Sequence, residues 1–237
     1  MSKYREHALF GLFMALPFVP SIFYLFFALI GASICDLDHD NNRHKVNSML
    51  ITGVILSVIL LLFNSSSISA VLLIVMAIIF YISKHRGFTH TIVGVSILSL
   101  LFLFMIMGFI SFFNRLFLMA GIPIPHLLVM FITMAIVGFF VISRRYYLLY
   151  FIVLGLYLYM VPTDYASIDW IMALVVIFIG SMSHIILDLL TPSGLNLFEP
   201  FSPITCHKRW AIVFILIWIL CVIYQLTSGG FLLIYPH

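Results

Sequence analysis

The stretch Ala8 to Ile34 reads ALFGLFMALPFVPSIFYLFFALIGASI, and the fold turns on whether it crosses a membrane once or doubles back. As one helix its 27 residues would reach about 40 Å, long against a hydrocarbon core of roughly 30 Å. Pro17 and Pro20 interrupt the helical hydrogen-bond ladder near its middle. Two readings follow: a single kinked span, or a re-entrant hairpin that returns residue 35 to the side from which the chain entered. The distribution of basic residues separates them, because Lys and Arg concentrate on the cytoplasmic side. With a hairpin, one side receives Lys3, Arg5, Arg43, Lys45, Lys84, Arg86, Arg144, Arg145, Lys208 and Arg209, and only Arg115 falls on the other. With a single span, Lys3 and Arg5 part from the rest. The hairpin is the consistent choice.

Outward from this stretch, further apolar segments run over 48–63, 68–83, 91–113, 122–142, 146–161, 168–190 and 210–226. Short polar loops separate them, including Asn64 to Ser67, Lys84 to Arg86, Arg144-Arg145 and Thr163 to Ser167; the longest are 35–47 and 191–209. Hydrophobic residues make up 64% of the 237-residue chain and charged residues 8%, against about 25% charged in a soluble domain. No alternating pattern of roughly ten residues suggests a barrel. The expectation is an all-α, polytopic helical membrane protein of about seven spans plus the N-terminal re-entrant hairpin, forming a single integral membrane domain over 1–237.

The net charge of +3 is too small to imply nucleic-acid binding. Three irregularly spaced cysteines, Cys35, Cys206 and Cys221, argue against a disulfide framework or a Cys-based zinc site. Lys3 to His7 followed by an apolar run has the outline of a signal peptide, but Pro17, Pro20 and the lack of a small-x-small cleavage site argue for mature structure. A lipoprotein-like Gly31-Ala32-Ser33-Ile34-Cys35 is spoiled by bulky Ile34.

The chain has 8 acidic residues, and Asp36, Asp38, Asp40 and Asp188 sit close to histidines at the ends of apolar runs. Charge is costly there and marks function. His184 and Asp188 are one helical turn apart, so both side chains can reach one cation. Asp36 and Asp38 bracket Leu37, and two carboxylates that close repel unless a cation or proton lies between them. His85 and His90 flank Arg86-Gly87-Phe88-Thr89; Gly87 allows a tight turn, Thr89 is a candidate cap for the next helix, and Arg86 offers a fork for a phosphate. Each piece alone has a plainer reading: a polar helix pair, a solvated acidic loop, an interfacial anchor. Together, on the hairpin topology, they and His7 share one face, predicted to be cytoplasmic. A site of two or three divalent metal ions with mixed nitrogen and oxygen ligands accounts for them jointly.

These motifs resemble the YdjM-type family of inner-membrane proteins of bacteria and archaea, described as membrane-bound metal-dependent hydrolases. The resemblance rests on His7, Asp36-x-Asp38-His39, His85-Arg86-Gly87-x-Thr89-His90, and Ser183-His184-x-x-Leu187-Asp188 followed by Thr191-Pro192 and a loop to Pro200. Cys35 departs from the Pro usual before the first Asp. The family is similar, more distantly, to zinc-dependent phospholipase C and related single-strand nucleases, which implies zinc as the metal and a phosphoester as the substrate.

The sequence reading therefore assigns His7, Asp36, Asp38, His85, His90, His184 and Asp188 as metal ligands and Arg86 as the phosphoryl-binding group. His39 is a ligand, an acid/base or a hydrogen-bonded loop residue. Glu199 is a general base, an added ligand or a turn residue. Trp210 reads as an interfacial aromatic, and His126 falls on the far side, outside the site. The expected activity is hydrolysis of a phosphoester in a membrane lipid or lipid-linked substrate at the cytoplasmic face of the inner membrane. A divalent-cation or proton-coupled transporter would place acids mid-span and show an inverted repeat, and neither is seen. A non-catalytic membrane protein whose metal fixes helices is the other alternative.

Overall fold

The computed structural model describes residues 4–62, 68–123, 126–161 and 165–228. Lys3, the predicted loop Asn64 to Ser67, Pro125, and Thr163 with Asp164 lie outside the described residues. Among the described residues the regular structure is helical: α1 (Tyr4–Ala15), α2 (Tyr24–Ile34), α3 (Arg43–Leu62), α4 (Ile68–Ile82), α5 (Ile92–Met119), α6 (His126–Val141), α7 (Tyr147–Met160), α8 (Trp170–Leu189) and α9 (Lys208–Thr227). An isolated bridge between Leu195 and Cys206 is the one β-type pairing among them. Among the described residues four stretches, Asp40–Leu61, α5, α8 and α9, are long and apolar enough to cross a membrane; α4 and α6 are apolar but shorter.

The predicted break at the prolines is where α1 and α2 part. Pro17 enters a 3-10 turn, Leu16–Phe18, and Val19 is extended (φ −80°, ψ 131°), as a residue before Pro20 prefers to be. Ser21 and Ile22 carbonyls then accept from Tyr24 and Leu25 N–H groups to start α2. The helices pack as a hairpin: the Ser33 hydroxyl donates to the Tyr4 phenol at 3.1 Å, near the free ends of both.

The largest differences from the sequence reading are at the end of α5 and the start of α3. α5 continues past 113 to Met119, because Asn114 and Arg115 are polar without breaking a helix. It stops at Gly121, whose φ of +67° is the left-handed C-cap conformation. α3 begins at Arg43 rather than 48, taking Arg43, His44 and Lys45 into its first turn.

The chain divides into two compact units. One draws on 1–36, 84–99 and 171–237, so it contains α1, α2, the start of α5, nearly all of α8, and α9. Its centre is a close approach of α2 to α8. A Cβ on Gly31 would lie 2.1 Å from the Ile177 carbonyl oxygen, and one on Gly180 would lie 2.2 Å from that of Ala28. Only glycine lets the backbones meet so closely, as in small-residue contacts between membrane helices. Ser181 bridges the same contact, donating toward Gly31 O and Ile177 O, each at 3.1 Å.

The loop after α8 is ordered by paired backbone bonds between Leu195 and Cys206, at 2.9 and 2.7 Å. Leu195, Leu197 and Cys206 are buried with Met14, Ile185 and Leu189. Leu197 O accepts from Ile92 N at 3.1 Å, which ties this loop to the start of α5.

The other unit draws on 37–83 and 100–170. Basic residues at the start of α3 serve the C-terminal ends of its neighbours, where carbonyls lack helical partners. Lys45 Nζ donates to Val141 O at 3.2 Å and Ile142 O at 2.6 Å at the end of α6. Arg43 donates to Tyr81 O at 3.1 Å at the end of α4, with its guanidinium 4.9 Å from the Tyr81 ring centre.

Candidate metal centre

The site is built at the end of α8 in the first unit. The close α2–α8 contact brings the Ala32 carbonyl, near the end of α2, to His184 Nδ1 at 2.8 Å. A carbonyl only accepts, so Nδ1 carries the proton. In neutral His184 the lone pair is then on Nε2, the usual way a ring nitrogen is oriented for a metal. That lone pair faces Asp188 Oδ2 at 3.5 Å and Asp36 Oδ1 at 3.7 Å. His90 Nε2 lies 3.4 Å from the same Asp188 Oδ2.

These separations bear on two accounts, an ion pair and a shared cation. Charge-assisted N–H to carboxylate bonds are about 2.7–2.9 Å, so 3.4 to 3.7 Å is too long for a strong ion pair. A tetrahedral ion with ligands at about 2.1 Å places neighbouring ligand atoms roughly 3.4 Å apart. The gaps have the length of the edges of a coordination shell. Without a cation the lone pair and the carboxylate oxygens would repel, and His184 and Asp188 are only 1% and 5% exposed, so water does not screen them well. The residues fit a metal.

His7 comes from the hairpin. Its ring stacks on that of His184, with centroids 3.9 Å apart and planes 18° from parallel. His7, His184 and Asp188 each offer a ligand atom, all within 4.8 Å of one another. Burial, reinforced by the neighbouring His184, lowers the His7 pKa to about 4. A neutral imidazole at physiological pH is the form that binds a metal. Both ends of the Ala8–Ile34 stretch thus reach His184: His7 just before it and Asp36 just after it.

The turn before α5 supplies the remaining groups. Gly87 N donates to Lys84 O at 2.8 Å, closing the expected turn. The left-handed conformation falls on Arg86, with φ of 62°. A non-glycine residue there is strained, by about 1–3 kcal/mol, and such strain clusters at functional sites. It aims the guanidinium at Asp188 Oδ1, 3.4 Å from Nη2, while Nη1 donates to the Ser193 hydroxyl. The α5 cap is Thr91, not the expected Thr89: Thr91 Oγ1 accepts from Gly94 N at 2.9 Å. Thr89 Oγ1 instead meets His90 Nδ1 at 3.1 Å and orients that ring. His85 is exposed, with its ring edge-on to His90 at 5.6 Å.

The structure therefore gathers His7, Asp36, Arg86, His90, His184 and Asp188, with His85 beside them. Asp38 is buried but belongs to the other unit, and its assignment rests on the Asp36-Leu37-Asp38 spacing. His39 accepts from Asn41 N at 3.2 Å as the cap of a 3-10 turn, the hydrogen-bonded loop role among its readings. Glu199 is exposed in a turn closed by its N–H onto Asn196 O. Sequence reasoning missed Gly31, Gly180, Ala32 and Ser193. The glycines carried a faint signal, since small residues recur at Ala28, Gly31 and Ala32 within an otherwise bulky helix.

The chain matches the YdjM inner membrane protein family over residues 1–235 and belongs to it. No curated protein and no solved structure matches it.

Proposed function

We propose that this member of the family is a membrane-embedded, metal-dependent hydrolase that cleaves a phosphoester of a lipid or lipid-linked substrate. The observation that carries the reading is the convergence of His184 Nε2 and His90 Nε2 on Asp188 Oδ2 at coordination-edge spacing, with Asp36 Oδ1 3.7 Å from the same His184 nitrogen and a guanidinium on the other oxygen of the Asp188 carboxylate. Two or three divalent ions are proposed, zinc first, since imidazole and carboxylate suit it. His7, Asp36, His184 and Asp188 would hold the first, and His90 with His85 would extend the set. Such an ion supplies Lewis acidity toward phosphoryl oxygens and lowers the pKa of water.

The chain's own residues do the rest. Ala32 O fixes the His184 tautomer, and Asp188 presents one oxygen to the imidazoles and the other to Arg86. Arg86, partly exposed beside Asp188, would take a phosphoryl oxygen in its fork. His39 and Glu199 are not needed by this proposal. The topology proposed with it is a re-entrant α1–α2 hairpin, then α3 to α9 as seven spans, with the metal centre on the cytoplasmic face. Its support is the return of both hairpin ends to His184 and the basic residues placed by the positive-inside rule.

The test is release of phosphate or alcohol from short-chain phospholipids by the purified, zinc-loaded protein in detergent. Turnover is expected and should fall at least about 100-fold in Asp188→Asn. Metal binding without turnover on any phosphomonoester or phosphodiester lipid would overturn the hydrolase reading and leave a structural metal centre.

A further inference from the structure

Beyond the ligands, the end of α8 carries a directional chain of hydroxyls that the proposed reaction has not used. Thr191 Oγ1 donates to Asp188 O at 2.6 Å, so its one proton is spent. In its 3.1 Å contact with Ser193 Oγ, Thr191 must therefore accept and Ser193 must donate. Ser193 Oγ in turn accepts from Arg86 Nη1. The order is Arg86 to Ser193 to Thr191 to the Asp188 carbonyl, and each hydroxyl donates once and accepts once. The chain starts from a residue with a left-handed backbone and ends on the backbone of a proposed ligand. Ser193 is exposed and Arg86 partly so, which puts the guanidinium on the open side of the Asp188 carboxylate.

Resting on the hydrolase reading, we propose that Arg86 and Ser193 form an oxyanion subsite for a terminal phosphoryl group, in which Ser193 is the positioning residue for Arg86. An arginine is flexible and loses rotamer entropy on binding an anion. Here the hydroxyl relay fixes the guanidinium before the anion arrives, so the anion meets a fork already aimed beside the metal ligands. A phosphomonoester or free phosphate, with more terminal oxygens than a diester, suits this fork best.

The experiment measures orthophosphate binding to the zinc-loaded, full-length protein in detergent by calorimetry, with dihexanoyl phosphatidic acid as the second probe. Zinc content is recorded for every variant. Ser193→Ala should weaken both probes about tenfold at unchanged zinc content, and Ser193→Thr should restore binding to within about twofold. Thr191→Val, which keeps Ser193 but removes its acceptor, should weaken binding about threefold, and gives the same test should Ser193→Ala not fold. A loss for both probes supports a subsite that reads the phosphoryl group whatever its source, and a loss for the lipid probe alone supports one that reads the same group only on a lipid. Equal affinities in wild type, Ser193→Ala and Thr191→Val, with zinc retained, overturn the inference while leaving the hydrolase reading standing. Failure of the wild-type protein to bind zinc overturns that reading and the inference with it.

Discussion

α8 and α9 are both 20-residue helices with the same mean hydropathy of 2.3, yet half of the α8 window is buried and 6% of the α9 window is. Hydropathy alone does not distinguish them. What does is the minority of residues that are not large and apolar. α8 has Gly180, Ser181, Ser183, His184 and Asp188 on its buried side. α9 has Ala211 as its one buried residue and large side chains such as Leu216, Leu220 and Ile223 facing outward. In lipid there is little hydrophobic gain in burying a leucine against another helix, so close packing and polar contact decide which helix is central. α8 has both. α9 has Trp218, whose indole donates to Met14 O at 2.8 Å.

The contrast can be broken most forcefully at the α2–α8 contact. Gly180→Val or Gly31→Val would place side-chain atoms against backbone carbonyls that have no rotamer to yield. Each is expected to destabilise by more than ~3 kcal/mol and to abolish a monodisperse peak on size exclusion in detergent. Normal elution and melting of Gly180→Val would refute the packing. A smaller effect is expected where the loop meets α5. Thr91→Ala removes the cap bond to Gly94 N and should cost ~1 kcal/mol, read as a lowered melting temperature; Thr89→Ala leaves that cap in place and should cost less. On α9, Trp218→Phe loses its bond to Met14 O and should cost about 0.5–1.5 kcal/mol. The smallest effect belongs to the α9 outer face: Leu220→Ala, at a 65% exposed position, should move stability by less than ~0.5 kcal/mol. A large loss there would mean that α9 is packed against something.

Much of this was legible in the sequence, and for identifiable reasons. Apolar length marked the helices to within a few residues, because apolar runs and helices coincide when the surroundings are lipid. Pro17 and Pro20 marked the break between α1 and α2. The one-turn spacing of His184 and Asp188 was a weak signal by itself and gained weight only beside the other His and Asp residues. What stayed hidden depends on the partner. That Gly31 and Gly180 meet carbonyls of the opposite helix cannot be read from either helix alone. Thr89 and Thr91 both suit a cap, and the choice fell to Thr91 because Thr89 turns to His90. Arg86 adopts a backbone conformation that sequence would assign to Gly87. Ser193 enters through a loop whose course is set by the Leu195–Cys206 pairing, two positions beyond it.

The central claim is that the end of α8 is a metal centre and the start of α9 is not. Elemental analysis of the purified, zinc-equilibrated protein tests it most directly, with wild type set beside His184→Ala, Asp188→Asn and, on α9, Lys208→Ala. The account predicts bound zinc in wild type and in Lys208→Ala, and its loss from both α8 variants while their elution profile is unchanged. Metal-free wild type, or equal zinc in His184→Ala and Asp188→Asn, would contradict it.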